Sequence, residues 1–187
     1  MIALLAMVAA ARWPLGSSDV ASLEKGGYET RDFQDGDARG MSVRFFVKAP
    51  LHECYDILAD VKDMPQYMPG LNRIRVLSAT GDTKILQYHS GIPLIPDFVL
   101  ARHFEPDKSI TWSKIKAPYK RIDGSWRFQA LPDGTVLTYT AEIDTGQVLV
   151  PSWLAIAIEQ QGRSQLVHNV RRRIESGGTW VRPDYHK

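Results

Sequence analysis

The sequence predicts an α+β protein built from an antiparallel sheet of about eight strands and a long C-terminal helix, with two short helices after the first hairpin. Three observations lead there. Eight short runs rich in aromatic and β-branched residues follow one another, and several of the separators are tight-turn residues, which favours antiparallel pairing of neighbours. The stretch from Pro151 to Gly177-Gly178 is long and periodic enough for a helix of about 25 residues. Finally, a chain of 187 residues with Cys54 as its single cysteine can build neither an internal disulfide nor a zinc cluster, so one hydrophobic core must hold it together.

The elements follow in order. Met1 to Ala11 is an apolar run closing on Ala9-Ala10-Ala11, the small-residue pattern of a signal-peptidase site. It is too short to cross a bilayer, which takes about 20 residues, and no Lys or Arg precedes it. The expectation is a periplasmic or secreted protein whose mature chain starts near Arg12; a buried N-terminal segment of a cytoplasmic protein is the alternative. The chain thereby divides into a signal-peptide-like segment over 1–11, a folded domain over 12–178 and a C-terminal tail over 179–187 that reads as a loose end.

Ser18 can cap a short helix that Gly26-Gly27 ends. Tyr28 to Gln34 and Met41 to Lys48, joined through Asp35-Gly36-Asp37, read as a hairpin. Pro50 opens a helix from Leu51 to Val61, where Leu51, Cys54, Tyr55, Ile57 and Leu58 recur at helical spacing before Pro65 and Pro69 break the pattern. Six strand-like runs come next: Asn72 to Ala79, Thr83 to Ser90, Phe98 to Phe104, Ser109 to Ile115, Ile122 to Ala130 and Thr135 to Ile143. Gly81-Asp82, Pro106-Asp107 and Pro132-Asp133-Gly134 are tight-turn signals among them, and Trp126, Phe128 and Ala130 alternate with Arg127 and Gln129. In the terminal helix Leu166, Val167, Val170 and Ile174 form one apolar stripe, whereas Trp153, Leu154, Ile156 and Ile158 leave the first half apolar on nearly every side.

A formal net charge of +2 is too small to imply a nucleic-acid partner. The basic run Arg171-Arg172-Arg173 reads as a solvated helix face or as a contact for anionic headgroups, hence a transient membrane contact. There is no Gly-x-Ser-x-Gly elbow, no His-Glu-x-x-His and no phosphate loop, so no catalytic residue is assigned. His52, His89, His103, His168 and His186 show no ligand spacing, although His89 and His103 lie on strands that could pair and become neighbours. No metal and no cofactor is expected.

Three stretches carry a family resemblance. Asp97-Phe98-Val99-Leu100-Ala101-Arg102 follows the apolar loop Gly91-Ile92-Pro93-Leu94-Ile95-Pro96. Pro118 leads through Arg121 and Trp126 to Gly134-Thr135-Val136-Leu137-Thr138-Tyr139. Asp144-Thr145-Gly146 precedes Val150-Pro151-Ser152-Trp153-Leu154. In this order, spread over about residues 20 to 176, they resemble the START (StAR-related lipid-transfer) domains of the helix-grip superfamily, in particular the stand-alone bacterial ones. Quinone-binding and polyketide-cyclase branches share much of this layout.

The resemblance implies a curved sheet wrapped around the long C-terminal helix in the helix-grip manner, and binding, with carriage or sensing, of a lipid, sterol or isoprenoid in an internal cavity. Leu86, Tyr88, Leu100, Trp112, Trp126, Phe128 and Tyr139 from the sheet would line it, with Leu154 and Ile158 from the helix. Each of these side chains could equally be plain core filling. Ile92, Leu94 and Ile95 form a candidate gate loop, or a buried cover. By the same resemblance Arg102 points inward, where an unpaired cation is costly. The family's acidic partner is missing, since the adjacent strand offers only Gln87 and His89. Either Gln87 and water satisfy Arg102, or a polar ligand head does, or Arg102 points outward from an edge strand. The enzyme alternative is a cyclase-like pocket using Arg102, Tyr88 and Tyr139; the third is a ligand-free interaction module, as in toxin-like relatives that act on ribosomes.

Overall fold

The structure, a computed structural model, describes residues 13–92, 95–146 and 152–185, with side chains of the last helix described from residue 162 onward. Helix α1 (Ser17–Glu24) precedes the hairpin β1 (Tyr28–Asp35) and β2 (Ala38–Val47), and α2 (Leu51–Ala59) is followed by a 3-10 turn at Met64–Gln66. Then come β3 (Leu71–Thr80), β4 (Thr83–Ser90), β5 (Phe98–Glu105), β6 (Ser109–Lys116), β7 (Arg121–Leu131) and β8 (Gly134–Asp144), and the chain closes with α3 (Ser152–Glu175). All eight strands form one antiparallel sheet in the order β1-β2-β8-β7-β6-β5-β4-β3. This is the α+β helix-grip architecture expected from the sequence.

The order has a simple origin. Strands joined by short turns pair with their neighbours, and the one long-range pairing, β2 with β8, joins the hairpin to the six-stranded meander. Register shifts in β3 against β4, at Leu71/Arg73 and Val76/Ser78, and in β5 against β6 at Val99/Leu100 bend the ladder; an extra residue on one strand raises local twist and curvature.

Three boundaries differ from the sequence reading. The first helix is capped at Gly16, whose N–H donates to the Asp19 carboxylate at 2.9 Å, so Ser18 lies inside it. Asp35 pairs with Ala38, so Gly36-Asp37 alone make the hairpin turn and β2 starts three residues early; a two-residue turn matches strand twist better than a longer one. Helix α2 stops at Ala59, because Asp60 is already extended and its carboxylate accepts from Lys62 N–H.

The core lies between the concave face of the sheet, α2 and the second half of α3. Leu166, Val167, Val170 and Ile174, all at most 3% exposed, join Val43, Phe45, Leu58 and Trp126 in one cluster, which confirms the apolar stripe. At the end of α3, Gly177 and Gly178 have positive φ and return hydrogen bonds to the Ile174 and Arg173 carbonyls, satisfying acceptors that a helix C-terminus leaves open.

The segment after α3 is held in place. Arg182, 5% exposed, donates from Nε to the Pro65 carbonyl at 3.1 Å and from Nη2 to the Leu71 carbonyl at 2.9 Å, and it pairs with Asp184. Its own N–H bonds to Gln66 O at 2.8 Å. Arg173 donates to Asp63, Gln66 and the Trp180 carbonyl. Arg171 donates to the carbonyls of Gly26, Gly27 and Phe46. Two of the three arginines in the basic run are thus structural clamps, and Arg172 alone stays exposed. Solvation and headgroup contact were the sequence options; a charge run does not reveal how many backbone carbonyls will converge on it.

Candidate functional site

Cross-strand register puts the side chains that matter on one face. Leu86 opposes Leu100, Arg102 opposes Trp112, Trp112 opposes Gly124, and Trp126 opposes both Ile110 and Tyr139. Directly opposed residues share a sheet face and alternate residues return to it. Leu86, Tyr88, Leu100, Arg102, Trp112, Trp126, Phe128 and Tyr139 therefore all lie on the concave side. Leu154 and Ile158 fall on α3, but their side chains are outside the described residues.

Across β6, β7 and β8 the aromatic rings touch. Trp112 and Tyr139 have centroids 5.5 Å apart, Tyr139 and Trp126 4.7 Å, and Trp126 meets Phe45 edge-on at 6.3 Å. Gly124 makes this possible: a Cβ there would sit 2.3 Å from the Trp112 ring, so only glycine lets the indole lie against β7. Leu86, Tyr88, Leu100 and Trp126 are buried within the continuous core, whereas Trp112, Phe128 and Tyr139 keep partial exposure. The concave face is thus packed at one side and accessible at the other.

Arg102 stands at the end of this aromatic surface. It is 2% exposed, on an interior strand, which excludes the outward placement. Its guanidinium lies 5.3 Å from the Trp112 ring centroid and 5.8 Å from that of Phe104. Nη1 contacts the Met64 sulfur at 3.3 Å, and Nε has no partner among the described residues. Gln87 is not its partner: it opposes Val99 and faces the convex side, one step off the alternation that carries Leu86 and Tyr88. His89 also faces away, and its Nδ1 lies 2.6 Å from the Asp97 carboxylate. His89 and His103 are not neighbours, because His103 sits opposite Thr83 at the other end of the β4–β5 ladder. Among the described residues no three His, Cys, Asp or Glu side chains gather as a metal site.

Tyr67 and Met64 are functional candidates that sequence reasoning missed. They belong to the Pro-bounded stretch after α2, which reads as a helix break rather than as a wall. Tyr67 is 1% exposed, its hydroxyl has no partner among the described residues, and its carbonyl accepts from Asn169 of α3 at 2.9 Å. Burial pushes the Tyr67 phenol far above its ordinary range, while the Arg102 charge pulls it back. Tyr88 is raised for the same reason and lowered by the same guanidinium. Tyr139 is pushed up to about 12, chiefly by burial.

These shifts have a sign. A phenol whose folded pKa exceeds the ordinary value of about 10 favours the folded state fully below that pH, and the contribution is lost as pH rises through the folded pKa. Absorbance titration is expected to show Tyr139 and Tyr67 ionising last of the seven tyrosines, with stability falling between about pH 10 and 12. Ionisation of all seven near pH 10 in a still folded protein would contradict the burial.

The resemblance motifs turn out to be partly structural. Asp97 holds His89, Thr135 donates to the Ala49 carbonyl at 2.9 Å, and the Asp144 carboxylate accepts from Gly146 N–H at 2.8 Å. In the candidate gate loop, Ile92 packs over Gly70 with its N–H on Ser90 Oγ, and Ile95 N–H bonds to Ile92 O; both are half-buried, and Leu94 is outside the described residues. A separate open depression of about 410 Å³, lined by Lys48, Pro50, Leu131 and Asp133 among others, contains none of the concave-face candidates.

Comparison with known proteins agrees with this geometry. The family model described as polyketide cyclase/dehydrase and lipid transport matches residues 47–171. The STAR-related lipid transfer protein of Xanthomonas axonopodis superposes with a TM-score of 0.67 at 19% identity, covering 79% of this chain and 93% of that one. The Zhui aromatase/cyclase of Streptomyces sp. R1128 gives 0.62 at 19% identity, covering 75% and 98%. The persistence and stress-resistance toxin PasT of Escherichia coli is 28% identical over 80 residues, which are 42% of this chain and 51% of the toxin. The chain thus spans about half the length of the curated relative it matches.

Proposed function

Because the chain belongs to the polyketide cyclase/dehydrase and lipid transport family, we propose that it binds one hydrophobic small molecule between the concave sheet face and α3, and carries or senses it without altering it. The observation that supports this most is the half-accessible aromatic surface of Trp112, Phe128 and Tyr139. Apolar burial contributes about 0.8 kcal/mol per methylene, so ten methylenes supply about 8 kcal/mol before ordering costs. That suffices for binding without covalent or metal anchoring. Native mass spectrometry of the purified protein, followed by solvent extraction, is expected to find about one equivalent of lipid. Protein free of lipid, and unable to take up apolar probes at micromolar concentration, would refute the carrier reading.

One observation favours a second reading. Tyr88 and Tyr139 both feel the Arg102 charge, an arrangement able to steer a polyketide chain as an aromatase/cyclase does. Cofactor-free turnover of such a chain would establish it. The toxin relative suggests a third, an interaction module acting without ligand. Export is part of the carrier proposal: intact mass of protein isolated from the producing cell should place the mature N-terminus near Arg12, and cytosolic protein still carrying Met1 would remove it. Residues 1–12 lie outside the described residues.

A further inference from the structure

Resting on the reading that the concave face holds a hydrophobic ligand, we infer that this ligand is an amphiphile with an anionic head of carboxylate type, seated against Arg102 and Tyr67. The charge distribution of the sheet carries the argument. From β4 to β8, register and alternation assign Lys84, Arg102 and Lys114 to the concave face. The same alternation sends all four acidic residues of these strands, Glu105, Asp123, Glu142 and Asp144, to the convex face. The concave side of these five strands is therefore purely cationic.

Two of those cations are accommodated. Lys114 donates to the carbonyls of Tyr119 and Lys120, and Lys84 is half-buried with its ammonium 4.7 Å from the Phe104 ring centroid. Arg102 is not. It is almost wholly buried, no acidic side chain among the described residues pairs with it, and one of its nitrogens has no partner. The Tyr67 hydroxyl, equally buried and without a partner among the described residues, belongs to the same turn as Met64, the residue whose sulfur Arg102 touches: Tyr67 N–H donates to the Met64 carbonyl at 3.2 Å. A neutral alcohol would satisfy hydrogen bonds there but leave the charge uncompensated. A cationic head would be repelled. A carboxylate does both jobs: it offers two oxygens to the planar guanidinium edge, can accept from the Tyr67 hydroxyl, and brings one negative charge against one positive. A phosphate would bring more charge than the single uncompensated cation among the described residues of this face matches.

The test is equilibrium binding of laurate, dodecanol, dodecyltrimethylammonium and lauryl phosphate to the delipidated full chain, its Arg102→Met variant and its Tyr67→Phe variant. Laurate is expected to bind at least tenfold more tightly than dodecanol, a difference of about 1.4 kcal/mol, with dodecyltrimethylammonium weakest. In Arg102→Met the preference should vanish while dodecanol binding holds, and Tyr67→Phe should lower laurate affinity several-fold. Equal affinity for laurate and dodecanol in the unaltered protein overturns the inference and leaves the carrier reading standing; failure of every probe overturns both. A laurate preference that survives Arg102→Met removes Arg102 as its seat, no loss of laurate affinity in Tyr67→Phe removes Tyr67, and tighter binding of lauryl phosphate overturns the carboxylate assignment.

Discussion

Delipidated Arg102→Met protein is expected to melt above the unaltered protein, although it loses discrimination among ligand heads. Arg102 is 2% exposed, its Nε has no partner among the described residues, and neither the Met64 sulfur nor the Tyr88 hydroxyl that it meets brings a negative charge. A buried charge without a counter-charge costs several kcal/mol. The neighbouring Trp112 and Phe104 rings offset part of that, cation–π contacts being worth about 0.5–2 kcal/mol. Methionine fills similar volume without a charge and suits the space beside Met64, Trp112 and Phe104. The net gain should be about 1–3 kcal/mol, which for a domain of this size raises Tm by a few degrees to about ten. The comparison needs lipid-free protein, because a bound carboxylate would stabilise the unaltered chain selectively. A lower Tm for the variant would mean that Arg102 is satisfied within the fold, contrary to the geometry.

Arg182→Ala should have the opposite sign and a larger size. Its guanidinium holds the Pro65 and Leu71 carbonyls on either side of Tyr67, at 3.1 and 2.9 Å, within a buried setting. Hydrogen bonds from a charged donor contribute about 1.5–3 kcal/mol each, and truncation strands two buried acceptors, so a loss of about 2–4 kcal/mol is expected. Tm should fall by about 5–15 °C. Met64, which touches Arg102, and Tyr67, which bonds to the Met64 carbonyl, should become mobile with it, so ligand affinity should drop as well. Asp184→Asn is the control: Asp184 is 72% exposed, and an exposed ion pair contributes about 0–1 kcal/mol. If Arg182→Ala melts within a degree of the unaltered protein, the segment after α3 is not a structural strap.

Those two arginines mark how legible the chain is. Strand positions could be read because alternation and turn chemistry are local: Trp126 and Phe128 alternate with Arg127 and Gln129, and Gly81-Asp82 turns the chain directly from β3 to β4. The stripe Leu166, Val167, Val170 and Ile174 was likewise visible in the helical period. The described lining candidates all fall on one face because period two holds along each of their strands. Tyr67, Met64 and Arg182 were not legible. They lie in irregular backbone after α2 or beyond α3, where no period links a residue to a face, and their partners are 38 to 117 residues away in the chain.

By itself, then, the amino-acid sequence determined the number and order of strands, the turn positions, the apolar stripe of α3 and the set of side chains that share the concave face. Each of these follows from contacts between near neighbours or from a fixed residue period. Tertiary structure alone decided that Gln87 turns away from Arg102, that Arg171 and Arg173 clamp backbone and side-chain acceptors instead of meeting solvent, and that the segment after α3 buries Arg182 against the Pro65 and Leu71 carbonyls. Those outcomes depend on which carbonyls, carboxylates and rings converge from distant parts of the chain, and a charged side chain takes its role from that convergence.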